Sequence, residues 1–450
     1  MSRQYEKTAA LTFFACLVIY TLACVMSPVS WSPDGRWIAL TRLVGEEKEE
    51  GSKEEMTGSE LWIVSPSPIE RHRLMVTSGT MLSGPAWSND SKGLYVVELP
   101  GEDTSKTVSL WRVDLNAKRR NVLRLEPTED TGSAMIAAPA LSPDGRRIAF
   151  VRDESAVVIA RSSGRLEHVI EADNANNLFW SPDGRWLGIL DEGGDDKPSV
   201  RFFDPRSSES IPLDGEFRAI AWLPDGKRFV ALKRQKEGTT ETFSISVLEG
   251  MRSAREVRSF PLDFETGHPL VPSRKGDSVF FARGEDGEEH LPAIHRLDLR
   301  TGKVTILYES LAPVLPWSIS PDGKRLAFRE GAPTEDDDPE AGMESLVGVL
   351  DLEATAQPLY LAVDDKELAA MVLAYADALK GISSDAELSP RQKQLASLFY
   401  GRLEQFLAAF RRDFPQSPLL AKCEAEAKEV QAAFEKAGLR VNPSEATPNR

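Results

Sequence analysis

Cysteine is nearly missing from this chain, with three in 450 residues. Cys16 and Cys24 lie within the first 26 residues, and the third is Cys423. If the N-terminal segment is removed at or before Cys24, the remainder can form no internal disulfide, so its stability must come from packing. Histidine is scarce as well. The five are His72, His168, His268, His290 and His295, and no two have the i,i+4 spacing of a zinc-protease helix. There is no glycine-rich phosphate loop. Basic charge is in deficit: 54 lysines and arginines against 70 acids leave a net charge of −16. Nucleic acid is therefore not an expected partner, because it needs a basic surface.

What is present is a phrase repeated seven times. It stands as WSPDGRWIAL (31–40), WSNDSKGLYVV (87–97), LSPDGRRIAF (141–150), WSPDGRWLGI (180–189), WLPDGKRFVA (222–231), PSRKGDSVFF (272–281) and ISPDGKRLAF (319–328), at a mean step of about 48 residues. Proline presets the second position of a type I turn, aspartate suits the third, and glycine can take the left-handed conformation that follows. Such a turn makes a bulged hairpin. The turn set is Pro33-Asp34-Gly35, Pro143-Asp144-Gly145, Pro182-Asp183-Gly184, Pro224-Asp225-Gly226 and Pro321-Asp322-Gly323. These residues are expected to shape the turns and to do no chemistry. In the second copy Ser91 replaces glycine and should widen the turn, since a left-handed serine costs about 1–2 kcal/mol. The sixth copy has Arg274-Lys275 for Pro-Asp but keeps Gly276. The bulky residue before most turns (Trp31, Trp87, Leu141, Trp180, Trp222, Ile319) should pack between neighbouring repeats.

Two more strand-like runs follow each phrase, giving four strands per repeat. The expected fold is mainly β: a seven-bladed propeller of four-stranded antiparallel blades over 28–363, with blades starting near 29, 84, 138, 177, 218, 268 and 315. The repeats resemble the WD40-like, TolB-type propeller repeat: an apolar residue, SPDG with a basic residue, then an apolar strand. That resemblance covers about three quarters of the chain and implies the propeller. It departs from TolB itself, which has an α/β domain before a six-bladed propeller. Here the first blade follows the leader directly, so the Tol-system role is not carried over.

The leader, 1–27, is a signal peptide or a membrane anchor. Arg3 and Lys7 precede an uncharged, mainly apolar run of eighteen residues, 9–26. The positive flank puts the N-terminus in the cytoplasm and the rest outside. Cys24 follows Thr21-Leu22-Ala23, which resembles a bacterial lipoprotein box with Thr21 where leucine is usual. Lipidation at Cys24, an uncleaved anchor and ordinary cleavage all remain open. The expected location is extracytoplasmic, in the bacterial periplasm or outer envelope, with membrane attachment through the N-terminus.

The loops joining second and third strands are acidic in every repeat. Among them stand Glu46, Glu47, Glu98, Asp103, Asp195, Asp196, Glu241, Glu285, Asp286, Asp336, Asp337 and Asp338. Strand order puts these loops on the face opposite the SPDG turns, together with the leader and the C-terminal helices. The functional reading is a docking face for a basic protein partner or for cations; the plainer one is solvated loops. A dedicated calcium site is not expected, because Asp336–Asp338 are contiguous and lack the alternate spacing of a calcium loop.

After Val363 the periodicity becomes helical over 364–438, and 439–450 look like a loose tail. Asp364 with Glu367 makes a capping pair, Leu368, Met371, Val372, Tyr375 and Leu379 form an apolar stripe, and Gly381 should end the helix. Pro390 opens a second helix and Ser417-Pro418 a third, which carries Cys423 as a core thiol. The segment 410–427 resembles the helix junction of bacterial tetratricopeptide-like proteins.

Chemistry is hard to place. Prolyl-oligopeptidase relatives carry similar repeats before an α/β-hydrolase domain, but the helical segment here has no G-x-S-x-G elbow. Sialidase repeats set Asp and Gly one residue apart, whereas here they are adjacent. No cofactor is expected. The expectation is a non-enzymatic, membrane-associated propeller that scaffolds protein–protein contacts. The alternative is a hydrolase or lyase working in the central channel.

Overall fold

The computed structural model describes residues 28–46, 55–100, 107–125, 139–153, 156–172, 175–191, 199–237, 240–251, 254–264, 266, 269–283, 291–332, 345–354, 357–384 and 390–439. Within them the chain forms seven antiparallel sheets, one after another: 30–76, 80–125, 140–171, 175–213, 217–262, 271–309 and 314–361. In six sheets the strands lie in sequence order, first to fourth. This is the expected seven-bladed propeller. In blade 2 the inner strand is split into Thr80–Leu82 and Ala86–Trp87, which both pair with Gly93–Pro100.

Each blade is built from its own consecutive strands, so the ring closes without strand exchange between its ends. The closing seam is apolar: Val29, Trp31, Ile38 and Leu40 of blade 1 pack with Val347, Val349 and Leu361 of blade 7. Backbone ties reinforce it. Ser318 Oγ accepts from Trp31 N at 3.1 Å, and Arg329, itself buried, donates to Thr41 O at 2.6 Å.

Strand alternation sets the core. Phe150, Phe229, Phe280, Phe281 and Phe328 on second strands and Phe202 on a third are fully buried. Two strand glycines make room for rings opposite them: a Cβ on Gly188 would lie 2.2 Å from Phe179, and one on Gly348 would lie 2.1 Å from Phe328. The indoles before the turns pack between blades as expected. Trp87 and Trp180 are buried, and each donates its Nε1 at 2.9 Å to the preceding blade, to Ser30 O and Ala140 O.

Three helices follow: α1 (Asp365–Ser384), α2 (Pro390–Asp413) and α3 (Leu419–Lys436). Asp364 Oδ1 accepts from Glu367 N at 3.0 Å, while Glu367 Oε2 accepts from Val363 N at 2.7 Å, a reciprocal cap. Gly381 does not end α1; the helix runs on to Ser384. A glycine inside a helix costs only about 1 kcal/mol, and the apolar stripe through Leu379 offsets that. The helices pack on the propeller: Leu368, Met371, Tyr375, Phe399, Phe406 and Phe410 share one core with Tyr308, Val314, Phe328, Leu346 and Tyr360 of blades 6 and 7. Cys423 is buried in the same core, which raises its thiol pKa to about 11. None of the described helices is long and apolar enough to cross a membrane.

Candidate functional site

Antiparallel strand order gives the propeller two distinct ends. Six of the SPDG-type turns obey one local chemistry. Each turn's serine hydroxyl reaches its aspartate: Ser32 to Asp34 at 2.5 Å, Ser88 to Asp90 at 2.6 Å, Ser142 to Asp144 at 2.7 Å, Ser181 to Asp183 at 2.5 Å, Ser273 to Asp277 at 2.7 Å, and likewise Ser320 to Asp322. In five of these six turns that aspartate also accepts a backbone N–H from two residues on, as Arg36 N does at 3.1 Å to Asp34. These hydroxyls hold the carboxyls of Asp90, Asp277 and Asp322 below the usual range. Blade 5 has Leu223 in place of serine, and Asp225 accepts instead from Lys227 N and Arg228 N at 2.9 and 3.0 Å.

Each turn also rests on the next. Gly35 lies against Pro321, Gly184 against Pro143, Gly226 against Pro182 and Gly276 against Pro224. Where the repeat departs from its pattern, a hydrogen bond joins the blades as well. Asn89, standing for proline, lies against Gly145 and donates to Pro143 O at 2.6 Å. Arg274 lies against Gly323 and donates to Ile319 O at 2.9 Å. Ser91, standing for glycine, takes a φ of 58° and accepts from Asp34 N at 3.0 Å. The expected widening of that turn does not occur: Ser91 N bonds Ser88 O at 2.9 Å, as Gly35 N does with Ser32 O. The contact with blade 1 accompanies the left-handed serine. The turn aspartates thus serve their own turns, and the glycine and proline positions hold blade to blade at one end of the ring.

At the other end lies a buried polar cluster that the sequence did not announce. Glu330 of blade 7 is fully buried. Its carboxylate accepts from Tyr308 of blade 6, from Tyr375 of α1, from Ser310 at 2.6 Å and from Tyr360 at 3.0 Å. Arg402 of α2 lies over the Tyr308 ring at 4.2 Å and donates to Tyr360 Oη at 3.0 Å. Burial, reinforced by Glu330, drives the three phenols well above the ordinary tyrosine range. Burial opposes the Arg402 charge, but the tyrosine oxygens and Glu330 more than offset it and keep the guanidinium protonated. A missed signal existed: Arg402 interrupts the apolar stripe of α2, three residues after Phe399 and four before Phe406.

A second cluster joins blade 7, blade 1 and α1. Arg42 bridges Glu60 at 2.8 Å and Asp364 at 2.7 Å. Burial raises the pKa of Glu367 to about 7 and lowers that of Arg329 to about 10. Farther out, Arg71 of blade 1 bonds Ala362 O and Asp413 at 2.5 Å and stacks on Phe414 at 4.8 Å.

The acidic docking residues fare differently. Glu46 ends a strand of blade 1. Glu47, Asp103, Asp195, Asp196, Glu285, Asp286 and Asp336–Asp338 lie outside the described residues, as does Cys24. The strand ends that flank the acidic loops are at the helix end. Two acids expected in loops sit in strands and are engaged: Glu98 accepts from Thr80 and Trp111 at 2.8 and 2.6 Å, and Glu241 pairs with Arg234. Among the described residues no three His, Cys, Asp or Glu side chains converge as a metal site.

No protein-family model matches this chain, and no curated protein matches it. Solved structures share its fold at low identity. TolB from Acinetobacter baumannii is 15% identical over 72% of this chain, with a TM-score of 0.40; the chain spans 63% of that protein's length. The β-propeller domain of the Trilobed protease from Pyrococcus furiosus is 12% identical, covering 75% of this chain and 96% of that one, with a TM-score of 0.49. The C-terminal WD40 domain of Sif2 is 13% identical, covering 73% and 82%, with a TM-score of 0.46. None of these likenesses carries an argument about what this chain does.

Proposed function

We propose that this chain is a non-enzymatic propeller of the bacterial cell envelope, held at a membrane through its N-terminus, that binds protein partners. The observation that carries this reading is the Glu330–tyrosine–Arg402 cluster. Glu330, the three tyrosines and Arg402 are sealed inside the junction of blades 6 and 7 with α1 and α2, where they bond one another and tie the helices to the ring. A rigid body with broad exposed ends suits docking. The leader's charge pattern supports the tether, and Val29, just past it, is already buried in blade 1. Crosslinking in the native envelope with partner identification is the test. Recovery of a protein partner is expected; recovery of none would overturn the scaffold reading and favour an enzyme working in the channel. Palmitate labelling of the wild type but not of Cys24→Ser would define the tether as lipid, and an unlabelled wild type would rule that out.

A further inference from the structure

The chain as a whole is acidic, but one sector of its turn end has the opposite sign. In blade 2, Gly93 pairs with Asp114 and Arg112 with Arg120; in blade 3, Arg147 pairs with Arg161. Inner turn and outer hairpin of each blade therefore finish at the same end. The two blades are also in direct contact there. Asn89 bonds Pro143 O, and Gly164 is so close to blade 2 that a Cβ on it would lie 2.2 Å from Val122 O. The segments 88–92, 112–120, 142–147 and 161–167 thus form one surface, with nine lysines and arginines against four acids.

The four acids are already occupied. Asp90 and Asp144 serve their own turns. Asp114 accepts from Asn116 N and Lys118 N, both at 2.9 Å. Glu167 is held by Arg147 at 2.6 Å and by Arg161. Lys92, Lys118, Arg120, Arg146 and Arg165 are exposed and make no ion pair among the described residues. In blades 1, 4 and 7 the equivalent turn cation is answered: Arg36 by Glu70 at 3.6 Å, Arg185 by Asp204 at 3.3 Å and Lys324 by Glu353 at 2.9 Å. Next to Arg165, Leu166 is 43% exposed.

We propose that this sector of blades 2 and 3 docks an acidic segment of a partner protein. The inference rests on the scaffold reading above. Guanidinium forks match carboxylates in geometry as well as charge, and an exposed leucine beside them offers an apolar contact. A lipid surface fits less well, because the chain enters blade 1 from the helix end, opposite this sector. Nucleic acid fits less well too, since the rest of the chain would repel a long phosphate run.

The probe is a fluorescent ten-residue peptide rich in Glu and Asp, with its Gln/Asn counterpart as control, titrated against the full chain at about 50 mM salt. Binding of the acidic peptide alone, weakening as salt rises, is expected. The triple variant R120E/R146E/R165E should lose affinity about tenfold or more, whereas K227E/K275E/K324E, at the turns of blades 5 to 7, should stay within about twofold. Circular dichroism melts of both variants confirm that they fold. Absent binding, equal loss in the two variants, or tighter binding to phosphatidylglycerol vesicles or single-stranded DNA through the same three arginines would each overturn the proposal. If envelope crosslinking captures the same partner with wild type and R120E/R146E/R165E alike, this sector is not the dock and the scaffold reading stands. If wild type captures no partner at all, the scaffold reading falls, and the acidic-partner proposal falls with it.

Discussion

At the turn end of the propeller, blade touches blade through the same pair of positions at six seams and through Ser91 and Asp34 at the seventh; at the helix end, no contact is used twice. Gly184 on Pro143 and Gly226 on Pro182 are one device repeated. Even the exceptions, Asn89, Ser91 and Arg274, fill the same place by another bond. Glu330 with its three tyrosines, Arg42 between Glu60 and Asp364, and Arg71 with Asp413 each occur once. The difference teaches that the ring is specified by many small, equivalent terms, while the position of the helices is specified by a few large, unequal ones. Damage at the two ends should differ accordingly.

The largest effect is expected from Glu330→Ala. It leaves Arg402 buried without its counter-charge and strips an acceptor from Tyr308, Tyr375 and Ser310, a loss of about 3–5 kcal/mol read by urea denaturation. A loss as small as that of a surface acid would erase the distinction between the ends. Arg71→Met comes next. It removes two bonds and a ring contact that span blade 1 and the end of α2, with an expected cost of about 2 kcal/mol and faster hydrogen exchange at the C-terminal turn of α2. Gly184→Ala tests the repeated end: a φ of 66° strains any side chain, so about 1–2 kcal/mol should be lost at one seam only, with the helices unaffected.

The smallest effects are in the pH dependence. Glu367, raised to about 7 from 4.5 by burial, holds its proton more tightly in the folded chain. Its contribution is full below pH 4.5 and is lost as pH climbs through 7. His295 of blade 6 packs against Phe264 and Phe281, and burial, then Arg283, lowers its pKa to about 4 from 6.5. Its contribution is full above pH 6.5 and is lost as pH falls through 4. The slopes oppose each other. Glu367→Gln should therefore leave stability rising from pH 4 to 6.5, and His295→Phe should leave it falling from pH 4.5 to 7. Unchanged slopes in thermal melts would contradict both assignments.

The turn end was legible in the sequence because its device is local. Serine, aspartate and glycine act within five residues of one another, and repetition marks them out. Strand order and the helix spans followed from turns and periodicity. The helix end was not legible, because its partners are distant: Arg71 and Asp413 are 342 residues apart, and Ser310 and Tyr375 are 65 apart. Tyr375 read as one more apolar position on α1, and its hydroxyl gave no sign of where it would end. Glu330 followed Phe328-Arg329 in an ordinary strand. Only Arg402 broke a pattern. The basic sector of blades 2 and 3 was hidden for a different reason, since its charges come from four short segments and a whole-chain sum of −16 conceals them.

The buried cluster fixes the helices to the ring, and native-state hydrogen exchange on Glu330→Ala tests that most directly. Exchange should rise together in α1, α2 and the strands Val304–Glu309 and Arg325–Gly331, while blades 2 to 5 keep their protection. Faster exchange confined to the helices, with those strands as protected as in the wild type, would contradict it.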